Sequence, residues 1–414
     1  MIKPALLMLA LLAGPAGAET LRDAVLAAYA SNPVLGAARA RQEARAEATE
    51  QARAGGRLTL AADGAGGYDK FGYGKGVGVG ASAQLPIWTG GRVSSAVRAA
   101  SADVAAGAEG VRDTQGALLE TVVSAYATLL YDQQAMRIAR ADIALLDTQV
   151  ADSHARFTLG NATRTDVARL EAQRASANAT LASVETALAA DLARYRAVVG
   201  HEPDALAPPA IAPAALPPSR DEARRLALLA NPLYRQSQAA ADADAARIDQ
   251  ARANGAPSLA LGGGYARDYD LAGRTGSGFP VIANAGLMLH VPILTGGLVA
   301  SQVRQARAEH RAALFDMEAA ARDAVRSADA AWAALAGARA QAEANRQSVD
   351  AAELALKGVR AEYAFGLRST LDILVADESL RGAQLALASS ESAMLVAQAA
   401  LLHATGRLDA DAFP

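Results

Sequence analysis

Five histidines, His154, His201, His290, His310 and His403, are the side chains best suited to bind a metal or to move protons near neutral pH. No two of them stand at the i, i+4 spacing of a helical metal site, and no HExxH occurs. They read as surface or packing residues. The chain has no cysteine, which removes disulfides, cysteine zinc sites, thiol nucleophiles and a lipid on an N-terminal cysteine. Carboxylates are many, but they are scattered along polar stretches, and no acid/base pair or Ser-His-Asp set stands out. The run Gly72-Tyr73-Gly74-Lys75-Gly76-Val77-Gly78 has neither GxxxxGK[ST] nor a correctly spaced GxGxxG before a helix, so it reads as a strand and its turn. The expectation is a protein that is not an enzyme and has no cofactor and no metal.

Two aspartates sit in a duplicated setting. Phe157-x-x-Gly160 recurs as Tyr363-x-x-Gly366, and each glycine is followed six residues later by an aspartate, Asp166 and Asp372. Acidic side chains suit a helix N-terminus, so helix starts are one reading of both. Arg368 lies beside the second turn, and by itself it reads as a solvated arginine.

The duplication extends along most of the chain. Gln51-Ala52-Arg53-Ala54 recurs as Gln250-Ala251-Arg252-Ala253, and Asn32-Pro33 as Asn231-Pro232. Pro86-Ile87-Trp88-Thr89-Gly90-Gly91 recurs as Pro292-Ile293-Leu294-Thr295-Gly296-Gly297. The expected division is a signal peptide at 1–18, a first repeat at 19–200, a Pro-rich linker at 201–219, a second repeat at 220–407 and a tail at 408–414. The signal peptide rests on Lys3, the apolar run Ala5–Leu12 and the Ala16-Gly17-Ala18 cleavage pattern. Its apolar core is too short to span a bilayer, and no later segment reads as apolar for that long. The net charge of −3 argues against a general nucleic-acid binder.

Each repeat has the same expected order. A short helix runs to Asn32 or Asn231, and a second starts at the following proline, which suits a first helical turn. Two glycine-rich strands follow, about 58–68 and 76–85 in the first repeat and about 258–265 and 279–291 in the second. Loops at 69–75 and 266–278 join them. Pro86, Gly90 and Gly91, like Pro292, Gly296 and Gly297, mark the strand-to-helix junction. A long helix comes next, about 92–157 and 299–363, with no proline and with apolar residues seven apart, as at Val97, Val104, Val111 and Leu118. At 1.5 Å per residue it is about 100 Å long. A return helix, about 163–199 and 369–405, ends at Gly200 or Gly406.

Aromatics are only 4% of the chain, which suits long, closely packed helices rather than one bulky core. A helix of that length needs partners along its apolar stripe, and such helices pack as coiled coils. Four strands cannot close a barrel, and open strand edges in lipid cost several kcal/mol per unpaired group. The strands must therefore come from several chains.

With the two-fold repeat, the junction motifs and the paired glycine turns in order, the chain resembles the TolC family of outer-membrane efflux and type I secretion channel proteins. The resemblance implies a mainly α fold with a small β part: two tandem repeats of long helical hairpins and four strands per chain. It implies a homotrimer with a 12-stranded β-barrel in outer-membrane lipid and a periplasmic α-barrel. Leu159, Gly160 and Asn161, with Phe365, Gly366 and Leu367, would form the periplasmic tip turns that meet a periplasmic adaptor (membrane fusion) protein, itself linked to an inner-membrane pump of the RND or ABC type. The family's closed tip is linked by a tyrosine and an arginine, here Tyr363 and Arg368, whose acceptors fall at Thr165 and Asp166. Asp372 matches the first of two entrance aspartates, and Val375 stands in place of the second. The alternative is a periplasmic coiled-coil adaptor or scaffold without channel activity, but such proteins do not carry two equivalent halves each with a glycine-rich strand pair.

Overall fold

The computed structural model describes residues 18–413 other than 70–73, 204, 210, 213–214 and 271–280. The expected signal peptide, apart from Ala18, and the tips of both strand-joining loops lie outside the described residues. The elements in order are α1 (Leu21–Ser31), α2 (Pro33–Ala54), β1 (Thr59–Asp69), β2 (Gly74–Trp88), α3 (Arg92–Thr158), α4 (Arg164–Val199), α5 (Arg220–Ala230), α6 (Pro232–Ala253), β3 (Ser258–Asp270), β4 (Val281–His290), α7 (Leu298–Ala364) and α8 (Thr370–Ala404). A single 3-10 turn, Ala410–Ala412, follows. Helices α3 and α7 have 67 residues each.

The chain divides into two compact units that do not coincide with the two sequence repeats. A helical unit comprises 1–36, 113–231 and 324–414, and a sheet unit comprises 37–112 and 232–323. Each therefore draws on both repeats.

In the helical unit, local chemistry sets the helix ends. Pro33 opens α2 here, as Pro232 opens α6 at the first residue of the sheet unit, positions where a missing N–H costs nothing. The asparagines before them tie each start to a returning helix. The Asn32 side-chain amide donates to the carbonyl of Val198 at 3.1 Å, and that of Asn231 donates to Ala404 at 3.0 Å. Gly200 closes α4 in the left-handed conformation. The unit's core is built around Leu119, Val122, Tyr126 and Leu129 of α3, Tyr195 of α4 and Leu401 of α8, all fully buried. Burying each such side chain contributes about 1.5–3 kcal/mol. The Tyr126 hydroxyl lies within hydrogen-bonding distance of the carbonyls of Glu19 and Ala207, and the Tyr195 hydroxyl donates to Glu19 Oε1. This pins the start of the described chain to the linker.

By length and composition, α8 is apolar enough to cross a membrane, which corrects the reading that no segment after the expected signal peptide is so apolar. Its polar residues show it to be a bundle helix. Arg381 pairs with Asp142 of α3, and His403 pairs with Asp113 and Glu120 of α3.

In the sheet unit, four antiparallel strands lie in the order β1-β2-β3-β4. Thr59 faces Gln84, Leu85 faces Leu261 and Ser258 faces His290. Successive side chains point to opposite faces, so this register sorts them. One face carries Leu60, Val79, Leu85, Leu261, Tyr265 and Leu287, all exposed. The other carries Thr59, Asp63, Ser82, Gln84, Gly262 and Asn284.

The strands differ from the sequence reading in two places. β2 does not stop at Leu85 but runs through Pro86 to Trp88, so Pro86 is a paired strand residue opposite Ala260 rather than part of the junction. The register shifts between Pro86 and Trp88, and such an irregularity accommodates a residue with no N–H to donate. β3 continues past Tyr265 to Asp270 because β2 supplies partners for those residues as far as Gly76. Pro292 lies beyond β4. The four junction glycines all have positive φ. Gly90 is the most constrained, with φ +60° and space in which a Cβ would lie 2.5 Å from the Ala256 Cβ.

Candidate functional site

The α3–α4 and α7–α8 turns, both in the helical unit, have the same construction. Gly160 and Gly366 lie in the left-handed region at φ +79° and +75°. The N–H of Gly160 donates to Phe157 and that of Gly366 to Tyr363, while Asn161 and Leu367 reach back to Arg156 and Glu362. These bonds satisfy carbonyls that a helix end leaves without partners. Leu159, Phe365 and Leu367 are 76%, 82% and 74% exposed, so each turn presents apolar side chains to its surroundings.

Asp166 and Asp372 both act as helix starts. In each case a hydroxyl residue, Thr163 or Ser369, accepts from the aspartate's N–H, and the carboxylate accepts from the hydroxyl residue's N–H and hydroxyl. This reciprocal capping satisfies two otherwise orphaned donors. The Thr163 hydroxyl, then its N–H, holds the Asp166 carboxyl below the usual carboxylate range. For Asp372 the Ser369 N–H acts first and its hydroxyl second. Both side chains are thus anionic at neutral pH, and both have oxygen lone pairs left for a further donor.

The second turn supplies donors. The half-buried Tyr363 hydroxyl accepts from Thr370 Oγ1 at 3.5 Å, and the Arg156 guanidinium sits 5.4 Å above its ring. Arg368 Nε donates to Glu362 Oε2 at 2.6 Å. Asp152, Arg156, Asp166, Arg169, Tyr363 and Arg368 line one cleft, which brings the starts and ends of the two helical hairpins together. Thr165 is exposed and does not line it. Among the described residues Arg368 pairs with Glu362 and not with Thr165 or Asp166. Val375 is exposed.

Three features here were absent from the sequence reading. Glu362 neutralises Arg368, and Arg156 stacks on Tyr363. Further along the same hairpins, Arg381 of α8 bridges Asp142 of α3 and Asp377 of α8, and Arg360 lies 3.7 Å from Asp377. The i, i+4 spacing of Asp377 and Arg381 is visible in the sequence. Their partner Asp142 is not, because it lies far away in the chain. No cluster of His, Asp or Glu side chains suited to a metal ion exists among the described residues.

A family model for outer membrane efflux proteins matches residues 25–201 and again 223–407. The chain is 33% identical over 334 residues to the outer membrane efflux protein BepC of Brucella suis, covering 80% of this chain and 73% of that protein. It is 31% identical over 331 residues to protein CyaE of Bordetella pertussis, covering 78% and 69%. The solved CmeC outer membrane channel of Campylobacter jejuni superposes with a TM-score of 0.79 at 16% identity, over 95% of this chain and 88% of that one. The chain belongs to the TolC-like outer membrane efflux protein family.

Proposed function

We propose that the protein is the passive exit duct of a tripartite efflux pump or type I secretion system, a homotrimer opened at its turn end by a periplasmic adaptor bound to an inner-membrane pump. The observation that carries this reading is the open four-stranded sheet. One face is mainly apolar and exposed, with Arg267 the charged residue on it, and the other is mainly polar and small, with Ile282 and Met288 as its large apolar residues. A lipid-facing and a lumen-facing surface would be partitioned in this way. Among the described residues the two edges have no partner, so closure would come from further copies.

The cleft between the turns is the gate in this reading. Tyr363 and Arg368 are the donors, and Asp166 and Thr165 are acceptors on a neighbouring hairpin. Arg368 resting on Glu362 in the single chain fits a bistable end, in which one guanidinium exchanges between two carboxylates as the hairpins move. Asp372 at the same end would add one negative charge per copy to the entrance. The apolar tips Leu159, Phe365 and Leu367 are the surface offered to the adaptor. The protein itself does no chemistry; energy comes from the pump. Arg368→Ser should raise single-channel conductance in planar bilayers by loosening the turn end. Unchanged conductance in a trimer of normal size would remove the gate assignment.

A further inference from the structure

The helical hairpins α3–α4 and α7–α8 correspond residue by residue at the offset that carries Gly160 to Gly366 and Asp166 to Asp372. Charged side chains cross both. In the second hairpin Arg346 meets Glu391 at 3.0 Å and Arg360 meets Asp377 at 3.7 Å. Their counterparts in the first are Arg140 with Glu185 at 3.7 Å and His154 with Glu171 at 2.9 Å. One pair is preserved. In the other, a histidine that needs a proton to be a cation replaces an arginine that always is one. A third position departs further. Ala338 and Ala397, both buried, stand in the second hairpin where Asp132 and Asp191 stand in the first. On α3, Asp132, Arg140, Asp147 and His154 are seven or eight residues apart and so share one stripe, with Asp147 linked to Arg174 of α4 at 3.4 Å.

Asp132 is 5% exposed, and no donor reaches its Oδ2. The Asp191 carboxyl lies within hydrogen-bonding reach and is the one charged group acting on it. Arg194, one turn further along α4, is exposed and makes no ion pair among the described residues. Two carboxylates in contact without a cation cannot both stay ionised, and one proton between them turns repulsion into a hydrogen bond. Burial first, then the contact with Asp191, pushes Asp132 up to about 6. At His154 the group in contact is Glu171. Its α3 neighbours Asp152 and Arg156 pair with each other, and Arg174 is held by Asp147.

We propose that Asp132 and Asp191 share one proton and, with His154 and Glu171, make α3–α4 a clasp that tightens in acid, while α7–α8 keeps its contacts unchanged. The clasp goes beyond the duct reading and does not need it, because it belongs to the folded chain. It makes the grip of one hairpin, and so the firmness of its Gly160 turn, follow the acidity around the protein. His154 and Glu171 are both exposed, so their pair adds little energy and the buried aspartates carry most of the effect. A folded-state value raised above the unfolded one sets the sign. The stabilisation is complete below about pH 4 and is lost as pH rises through about 6.

Asparagine is a permanently neutral copy of a protonated aspartate. Asp132→Asn should therefore raise the thermal midpoint of the full chain at about pH 7.5 and leave it unchanged at about pH 5. Asp191→Asn should do the same, because either carboxyl can carry the proton. Asp132→Ala with Asp191→Ala, which copies the second hairpin, should remove this part of the pH dependence. His403 and the other titrating groups are common to parent and variants, so they cancel at each pH. The infrared difference between parent and Asp132→Asn should show a protonated carboxyl at about pH 5 and none at about pH 7.5. Asparagine variants that lower the midpoint equally at both pH values, or that give no protonated-carboxyl difference in acid, overturn the shared proton. So does a parent that calcium stabilises and a chelator destabilises at about pH 7.5 while Asp132→Asn responds to neither, because a cation then joins the two carboxylates.

Discussion

Replacing Arg381 with methionine should unfold the helical unit far more readily than the loss of a surface charge would. Arg381 lies on α8 and reaches Asp142 on α3, while its Nε stands 3.0 Å from Asp377. Asp142 and Asp377 are only 5% and 8% exposed. Methionine keeps the length of the side chain and removes the charge. Asp377 retains Arg360 at 3.7 Å, but among the described residues Arg381 is the one cation paired with Asp142. Breaking a buried pair by removing one partner costs about 3–5 kcal/mol, mostly because a charge is left buried and uncompensated. The pH dependence follows from the carboxyl. Burial already pushes Asp142 up, and Arg381 opposes that rise. Without Arg381 the folded-state pKa climbs further above the unfolded value, so the folded form binds a proton that the unfolded form releases. Stability then falls as pH rises through that window and is recovered toward acid. In denaturant titrations followed by helical circular dichroism, the deficit of Arg381→Met should be largest at about pH 8 and smaller at about pH 5. Adding Asp142→Asn should recover much of it. A loss under about 1 kcal/mol, the size of an exposed pair, or a deficit independent of pH would refute the argument.

Two further perturbations probe the same unit. His403 is half-buried, which opposes its charge, yet hydrogen bonds to Asp113 and Glu120 raise it to about 9. Its stabilisation should be complete below the unfolded value near 6.5 and lost as pH rises through about 9; His403→Gln should remove about 2 kcal/mol at neutral pH and flatten the thermal midpoint across that window. Gly406 has φ +67°, and a Cβ there would lie 2.0 Å from the Ala230 carbonyl oxygen, whereas Gly366 has φ +75° and nothing within 4 Å. Gly366→Ala should cost about 1–2 kcal/mol, the strain of a left-handed alanine, and Gly406→Ala clearly more, as read from paired thermal melts.

The features legible in the sequence were local ones. Proline at a first turn, a glycine after a last turn and an acidic residue at a helix start each act through neighbouring atoms, so Pro33, Gly200 and Asp166 could be placed without knowing the fold, whereas the Thr163 side of the Asp166 cap emerged only from the structure. Duplication made each such signal appear twice. The junction at Pro86 shows where this stops. A proline after alternating residues reads as a strand end, yet the partner strand β3 extends beneath it and a register shift absorbs the missing donor. The network at Arg381 was hidden for a related reason: Asp142 and Arg381 are remote in sequence and meet only when α8 packs on α3. The residues proposed as a gate were named through resemblance, and the single chain brings Asp166, Tyr363 and Arg368 to one cleft while leaving Arg368 on Glu362.

Single-channel current through the purified mature protein in a planar lipid bilayer tests the central claim most directly. The account predicts discrete conductance steps from inserted trimers, small because the turn end rests closed. Trimers that insert into the bilayer and carry no steps under any voltage would contradict it.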